Sequence, residues 1–224
     1  MNMSTQIKKR PIIFSANMVR AILENRKFQT RRVIKPQPSG ACKKTIYNPS
    51  AFEPDRGWYF EDGGKLKCPY GQLGDSLWVR ETFYERFDGL DSCDFFAYVA
   101  DGEKKTGRCA ATAHEAVTQG FITKRPSIFM PKKYARLWLR IVNVRVERLQ
   151  EITGQDILAE GIEWDKNYKM IGPCDGDEDG LIEHFGKLWN SLNAKRDYSW
   201  ESNPWVWAIE FEKYDNQNTF DGNN

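Results

Sequence analysis

No stretch of this 224-residue sequence approaches the roughly 20 consecutive apolar residues that a membrane-spanning helix requires. The first ten residues are polar and lack the apolar core of a secretory signal. Together these absences lead to the expectation of a cytoplasmic protein with no membrane partner. The net charge is only +2, so a nucleic-acid partner does not follow from bulk charge. Histidine is scarce: His114 and His184 lie in dissimilar settings. The five cysteines (Cys42, Cys68, Cys93, Cys109 and Cys174) are odd in number, widely spaced and without a Cys-x-x-Cys pair. That pattern argues against a disulfide framework and for reduced thiols. A zinc site built from Cys42, Cys68 and others is a minor alternative; no metal and no cofactor are expected. No internal repeat is present.

The composition, 40% hydrophobic and 29% charged, is that of a globular chain long enough to bury a core. Basic residues cluster at Lys8-Lys9-Arg10, at Arg26-Lys27 with Arg31-Arg32, and at Lys132-Lys133 with Arg136 and Arg140. Residues 175 to 179 form an acidic run. Eight tryptophans supply large apolar area, most of it for the core; one or two could serve as base-stacking platforms.

Periodicity gives a coarse map. Pro11–Phe14 reads as a short strand. Ser15 can cap a helix carrying Met18, Ala21, Ile22 and Leu23, which ends near Asn25. Phe28–Ile34 reads as a strand stopped by Pro36 and Pro38. Gly57–Phe60 and Lys65–Cys68 flank Asp62-Gly63-Gly64, a hairpin signal. Strands follow at Ser76–Glu81 and Phe95–Val99. Tyr134–Val146 is the longest strand candidate; its apolar residues fall on both faces, which implies burial on two sides or a bulge. Thr153 and Asp156 form a capping box that opens a helix ending at Gly161. A second helix carries a stripe of Ile182, Phe185, Leu188, Trp189 and Leu192. Trp205–Glu212 closes the chain as a strand with Trp205, Trp207, Ile209 and Phe211 on one face. Many strands and few helices predict an α+β fold around a small, mostly antiparallel β-barrel with flanking helices. One domain over residues 10–213 is expected, with insertions at about 35–71, 100–126 and 163–178. Residues 1–9 and 214–224 are expected to fray.

The chemistry-bearing run is Asn25-Arg26-Lys27-Phe28-Gln29-Thr30-Arg31-Arg32. Its lysine and threonine are three residues apart, among arginines. A threonine hydroxyl becomes a nucleophile when a base takes its proton, and neighbouring cations push a lysine towards the neutral, basic form. The same arginines suit an RNA phosphate. Side chains alternate along a strand, so Lys27 and Thr30 converge only if Lys27 lies in the turn before it. Thr30 and Arg32 share a face. Trp78 and Arg80 share another strand face and suit stacking on a base beside a phosphate.

The anchors Ile22–Lys27, Thr30-Arg31-Arg32, Gly74-Asp75 before Leu77–Glu81, Leu149–Thr153 leading to Ala159-Glu160-Gly161, and Pro204–Phe211 resemble, in that order, the ASCH domain of the PUA-like superfamily. The resemblance covers roughly half of the chain. The longer form, with Cys68-Pro69-Tyr70-Gly71 and Trp205-Val206-Trp207, is similar to proteins of phages and prophages. The family implies a cleft for a nucleoside or RNA. One branch, the N(4)-acetylcytidine amidohydrolases, implies by motif position a catalytic set of Lys27, Thr30 and Glu160, with no metal. Arg26, Arg31, Arg32, Trp78 and Arg80 are then the candidates for binding substrate or nucleic acid. The three insertions distinguish this chain from that branch. Two other expectations stand beside hydrolysis: a non-catalytic module binding RNA or a modified nucleotide, and an accessory in phage assembly.

Overall fold

Residues 7–38, 42–45, 57–60, 65–86, 95–102, 104–106, 123–162 and 178–215 are described by the structure, a computed structural model. In chain order its elements are β1 (Lys9–Ile13), α1 (Ala16–Leu23), β2 (Gln29–Val33), β3 (Cys42–Thr45), β4 (Gly57–Phe60), β5 (Lys65–Leu66), β6 (Ser76–Arg80), β7 (Phe83–Arg86), β8 (Phe95–Tyr98), β9 (Lys104–Thr106), β10 (Thr123–Arg125), β11 (Trp138–Arg148), α2 (Gly154–Ala159), α3 (Glu178–Asn193) and β12 (Trp205–Tyr214). The α+β class expected from the sequence is present, with mostly antiparallel pairing and few helices. The barrel is not: the described strands form three open sheets, of five, four and three strands. Closure requires the two end strands to pair, and alternation along single strands carries no information about that pairing. Among the described residues no helix is long and apolar enough to cross a membrane. The acidic run at 175–179 and the insertions at 35–71, 100–126 and 163–178 fall wholly or partly outside the described residues.

The chain divides into two compact units, one formed by residues up to Asn25, Gly74–Arg140 and residues from Glu212, the other by Arg26–Leu73 and Ile141–Phe211. In the first, β1 runs parallel to β6, from Lys9 opposite Ser76 to Ile13 opposite Arg80. The start of β11 pairs antiparallel with β6, Trp138 opposite Trp78. Ile12, Leu77, Val79 and Leu139 are completely buried. Helix α1 begins where the Ser15 hydroxyl accepts a hydrogen bond from the Met18 amide, and it buries Val19, Ala21 and Ile22. Asn25, at φ 55°, takes the left-handed conformation that ends it. An aromatic cluster of Phe83, Phe96 and Tyr98 with Met130 forms a second core, with Phe83 and Phe96 stacked at 4.6 Å. Strand β11 starts four residues later than its apolar pattern suggests, because Pro131 opens a single 3-10 turn over Lys132–Tyr134.

In the second unit β12 pairs antiparallel with β2, from Val206 opposite Val33 to Glu210 opposite Gln29. β4 pairs with β5 as the hairpin signal predicts. The capping box at α2 is formed: the Asp156 amide donates to Thr153 Oγ1 (3.2 Å) and the Thr153 amide to Asp156 Oδ2 (3.3 Å). Gly161, at φ 80°, follows the helix. Helices α2 and α3 share a core of Leu149, Ile152, Ile157, Leu181, Phe185, Trp189 and Val206. Gly186 on α3 lets the Trp200 ring approach so closely that an added Cβ would meet it at 3.3 Å. The α3 stripe differs from expectation: Leu181 joins the buried set, whereas Leu188 and Leu192 are exposed. Strand β12 is buried on both faces along Trp205–Ile209, not on the tryptophan face alone.

Because Ile157 is fully buried in this core, Ile157→Ala is expected to destabilise the protein by about 2–5 kcal/mol. Thr153→Ala, which removes a cap, is expected to cost about 1 kcal/mol. Urea unfolding of both variants against the parent protein checks the ranking.

Candidate active site

The segment after Asn25 returns to the end of α2. The Phe28 amide donates to the Ala159 carbonyl at 2.8 Å, and Lys27 makes an isolated antiparallel bridge to Glu160. Lys27 thus lies in the turn that precedes β2, where the sequence requires it for any convergence with the strand. Glu160 is the residue that caps α2, and the Arg26 guanidinium donates to the Gly161 carbonyl just beyond it (3.0 Å).

The Lys27 side chain is buried, at 2% exposure. Its Nζ donates to Glu160 Oε2 (2.7 Å), to the Glu160 carbonyl (2.8 Å) and to the Gln29 carbonyl (2.8 Å). Three acceptors match the three protons of an ammonium group. Burial pulls the Lys27 ammonium below the ordinary lysine range; the Glu160 carboxylate opposes this, and the charges of Arg32 and Arg31 add to it. The result is a desolvated lysine held in one position by a partner that is itself only 9% exposed.

Arg31 is a second organiser, not an outward-facing phosphate contact. It is 4% exposed and sits among acids, with ion-pair distances of 2.6 Å to Glu147, 3.1 Å to Asp156 and 3.4 Å to Glu160. It also donates to Gln29 Oε1 (2.8 Å). Arg145 extends this network to Glu147, Asp156 and Glu210. Burial works to raise the Asp156 carboxyl, but Arg31, the Thr153 amide, Gln29 and Arg145 outweigh it and hold the group below the usual carboxylate range. Its ionised form is therefore favoured by the fold, and that contribution is lost as pH falls through the lowered value.

Thr30 and Arg32 occupy the face of β2 opposite to Gln29 and Arg31. Thr30 is 2% exposed, and its hydroxyl makes no hydrogen bond among the described residues. Arg32 is half-buried; burial lowers its guanidinium from the ordinary value, against the opposing influence of Tyr70 and Glu160. The geometry therefore joins Lys27 to Glu160 and Arg31 to Glu160, and leaves the Thr30 hydroxyl unengaged. A concavity of about 290 Å³ in this unit is lined by Phe28, Gln29, Asp156 and Glu210 among others, and not by Lys27, Thr30 or Glu160. Trp78 and Arg80 lie in the first unit. Trp78 is buried beside Ala135 and Trp138, and the Arg80 guanidinium rests 5.0 Å over its ring. Among the described residues no group of three or more His, Cys, Asp or Glu side chains is arranged to hold a metal ion. The Cys42 side chain lies outside the description, and Cys68 is a half-buried thiol.

Glu147, Arg145 and Glu210 are absent from the set expected from the sequence. The alternations Gln29/Arg31 and Arg145/Glu147 each place like-facing polar groups on a strand, a signal that reads equally as a solvated face until pairing is known.

Removing Glu160 leaves a buried ammonium without its counter-charge. Glu160→Ala is expected to destabilise by about 3–5 kcal/mol near neutral pH, whereas the double variant Lys27→Met/Glu160→Leu is expected to cost less than that single change. A lysine lowered in the folded state binds fewer protons than in the unfolded chain, so its penalty shrinks as pH rises towards the ordinary lysine value. Urea unfolding of the three proteins across a pH series checks both statements.

Comparison with protein-family models, with curated proteins and with solved structures finds no match to this chain.

Proposed function

We propose that this chain is an ASCH-type member of the PUA-like superfamily and an amidohydrolase of N-acylated pyrimidine nucleosides, of the N(4)-acetylcytidine kind, with Lys27, Thr30 and Glu160 as its reacting group. The observation that carries the reading is the buried pair of Lys27 and Glu160, 2.7 Å apart, with the lysine displaced towards its neutral form. A surface salt bridge would not have that property.

In this mechanism neutral Lys27 takes the Thr30 proton as Oγ1 bonds to the acyl carbon. The carbonyl electron pair moves to oxygen, and the Arg32 guanidinium stabilises the oxyanion. Collapse breaks the C–N bond, and the proton held by Lys27 passes to the departing exocyclic nitrogen. The acyl-threonine ester is then cleaved by water, with Lys27 again accepting a proton, which releases the carboxylic acid and restores the hydroxyl. Glu160 holds Nζ in place and steadies its charged form between the two transfers. Placement of such an acid–base group is worth about 10²–10⁴ in rate.

Incubation with N(4)-acetylcytidine, followed chromatographically, is expected to yield cytidine and acetate. Lys27→Ala and Thr30→Val are expected to lower kcat/KM by about 10²–10⁴. The rising limb of the pH profile is expected below the ordinary lysine value of about 10.4, and to move lower still in Glu160→Gln, where the opposing charge is gone. Absence of turnover by the parent protein on a panel of acylated nucleosides overturns the proposal.

A further inference from the structure

Two bulky apolar side chains of the first unit stay outside its core. Ile128 and Phe129 are 56% and 65% exposed. They lie on a 3-10 turn over Ser127–Phe129, and a second such turn follows over Lys132–Tyr134. A proline precedes each turn, Pro126 at φ −59° and Pro131 at φ −71°, close to the angle the ring imposes. Backbone hydrogen bonds close both: the Phe129 amide donates to the Pro126 carbonyl (3.0 Å) and the Tyr134 amide to the Pro131 carbonyl (3.1 Å). Between the turns Met130 is fully buried with Phe83, Phe96 and Tyr98. Its sulfur accepts a hydrogen bond from the Glu81 amide (3.2 Å), and its carbonyl accepts one from Arg80 Nε (3.3 Å). The base of the tip is therefore fixed, and the exposure of Ile128 and Phe129 is built into the fold. β10, which leads into the first turn, is exposed at all three residues, so this part of the unit projects.

The charge around the tip is one-sided. Residues 123–140 hold six cations and no acid. Three of the six are balanced by acids from other segments: Arg125 by Glu85 (2.6 Å), Arg136 by Glu81 and Asp101 (2.8 and 2.6 Å), and Arg140 by Glu212 (3.5 Å). Lys124, Lys132 and Lys133 are exposed and form no ion pair among the described residues. Each lies within four residues of the apolar pair. Lys132 and Lys133 rest over the Trp138 and Tyr134 rings, at 5.7 and 4.8 Å. Such contact restricts a long side chain in advance, which lowers the ordering cost of binding.

We propose that this tip docks the protein on a bilayer containing anionic lipid, with Ile128 and Phe129 entering the boundary between headgroups and acyl chains and Lys124, Lys132 and Lys133 meeting the lipid anions around them. Large apolar side chains beside lysines are the composition of interfacial anchors, and an anionic leaflet attracts each nearby lysine. A projecting tip needs no matching hollow in a fluid surface. A second copy of this chain is a poorer occupant, because the same unbalanced lysines would face one another. A wholly polar polyanion is poorer too, because it leaves Ile128 and Phe129 in water. The sequence expectation of no membrane partner rests on the lack of a spanning segment, and a peripheral anchor requires none. The assignment is independent of the hydrolytic reading, whose residues Lys27, Thr30 and Glu160 belong to the other unit.

The test is flotation of the full chain with vesicles of phosphatidylcholine alone and of a two-to-one mixture of phosphatidylcholine and phosphatidylglycerol. The parent protein is expected to float with the mixed vesicles and not with the neutral ones. Lys124→Gln, Lys132→Gln and Lys133→Gln are each expected to weaken partitioning about fivefold at low salt. The double variant Ile128→Ser/Phe129→Ser leaves the charge unchanged and is expected to weaken it about tenfold or more. Leu158→Ser, at an exposed apolar position between Asp156 and Glu160, is the control expected to float as the parent does. Circular dichroism melting establishes that each variant is folded. No flotation of the parent with the mixed vesicles overturns the proposal, as does parent-like flotation of the folded Ile128→Ser/Phe129→Ser variant. Equal affinity for soluble polyglutamate or for RNA at matched charge, lost in that same variant, also overturns it, in favour of an acidic protein or a nucleic acid as the partner.

Discussion

Burying the Lys27 ammonium is the constraint on which the site in the second unit depends. An isolated charge in a protein interior is strongly unfavourable, so the fold has to bring acceptors to it. It does so with two backbone carbonyls and one carboxylate, and two of these three acceptors belong to Glu160. That requires the turn before β2 to meet the last residue of α2. The capping box at Thr153 and the left-handed Gly161 set where this short helix begins and ends, and hence where Glu160 falls. A shift of α2 by one residue would strand the lysine.

The surrounding charges follow from the same need. Glu160 serves Lys27 through one oxygen and Arg31 through the other. Arg31 is balanced in turn by Glu147 and Asp156, and Arg145 ties Asp156 to Glu210. Such a network is favourable only when its members are satisfied together. It also keeps positive charge close to Lys27, which works against protonation. One arrangement therefore holds the segment in place and lowers the proton affinity of its lysine.

Local signals in the chain were legible where a single segment carries them. The Ser15 cap, the left-handed Asn25, the Thr153–Asp156 box, the Gly161 stop and the β4–β5 hairpin all depend on neighbouring residues, and each is present. Pattern reading failed where burial is decided by a distant partner. Leu188 and Leu192 continue a helical stripe, yet among the described residues they stay exposed, whereas Trp200 packs closely on the neighbouring turn at Gly186. On β11 the apolar residues change parity along the strand, which in the sequence implies two-sided burial or a bulge, and Ile141 and Val146, of opposite parity, are indeed both buried while Val142 is exposed. Its first three residues and the remainder belong to different units, so no single inner face runs along it.

By itself the sequence determined the α+β class, most element positions and the closeness of Lys27 to the start of β2, because these rest on backbone preferences and short-range spacing. Only the tertiary structure decided that the described strands form open sheets, and that Arg31 turns inward to three acids instead of outward. Those outcomes are set by strand pairing between segments tens of residues apart. Which face of a strand is buried is a property of the partner across the sheet, and no local window contains that partner.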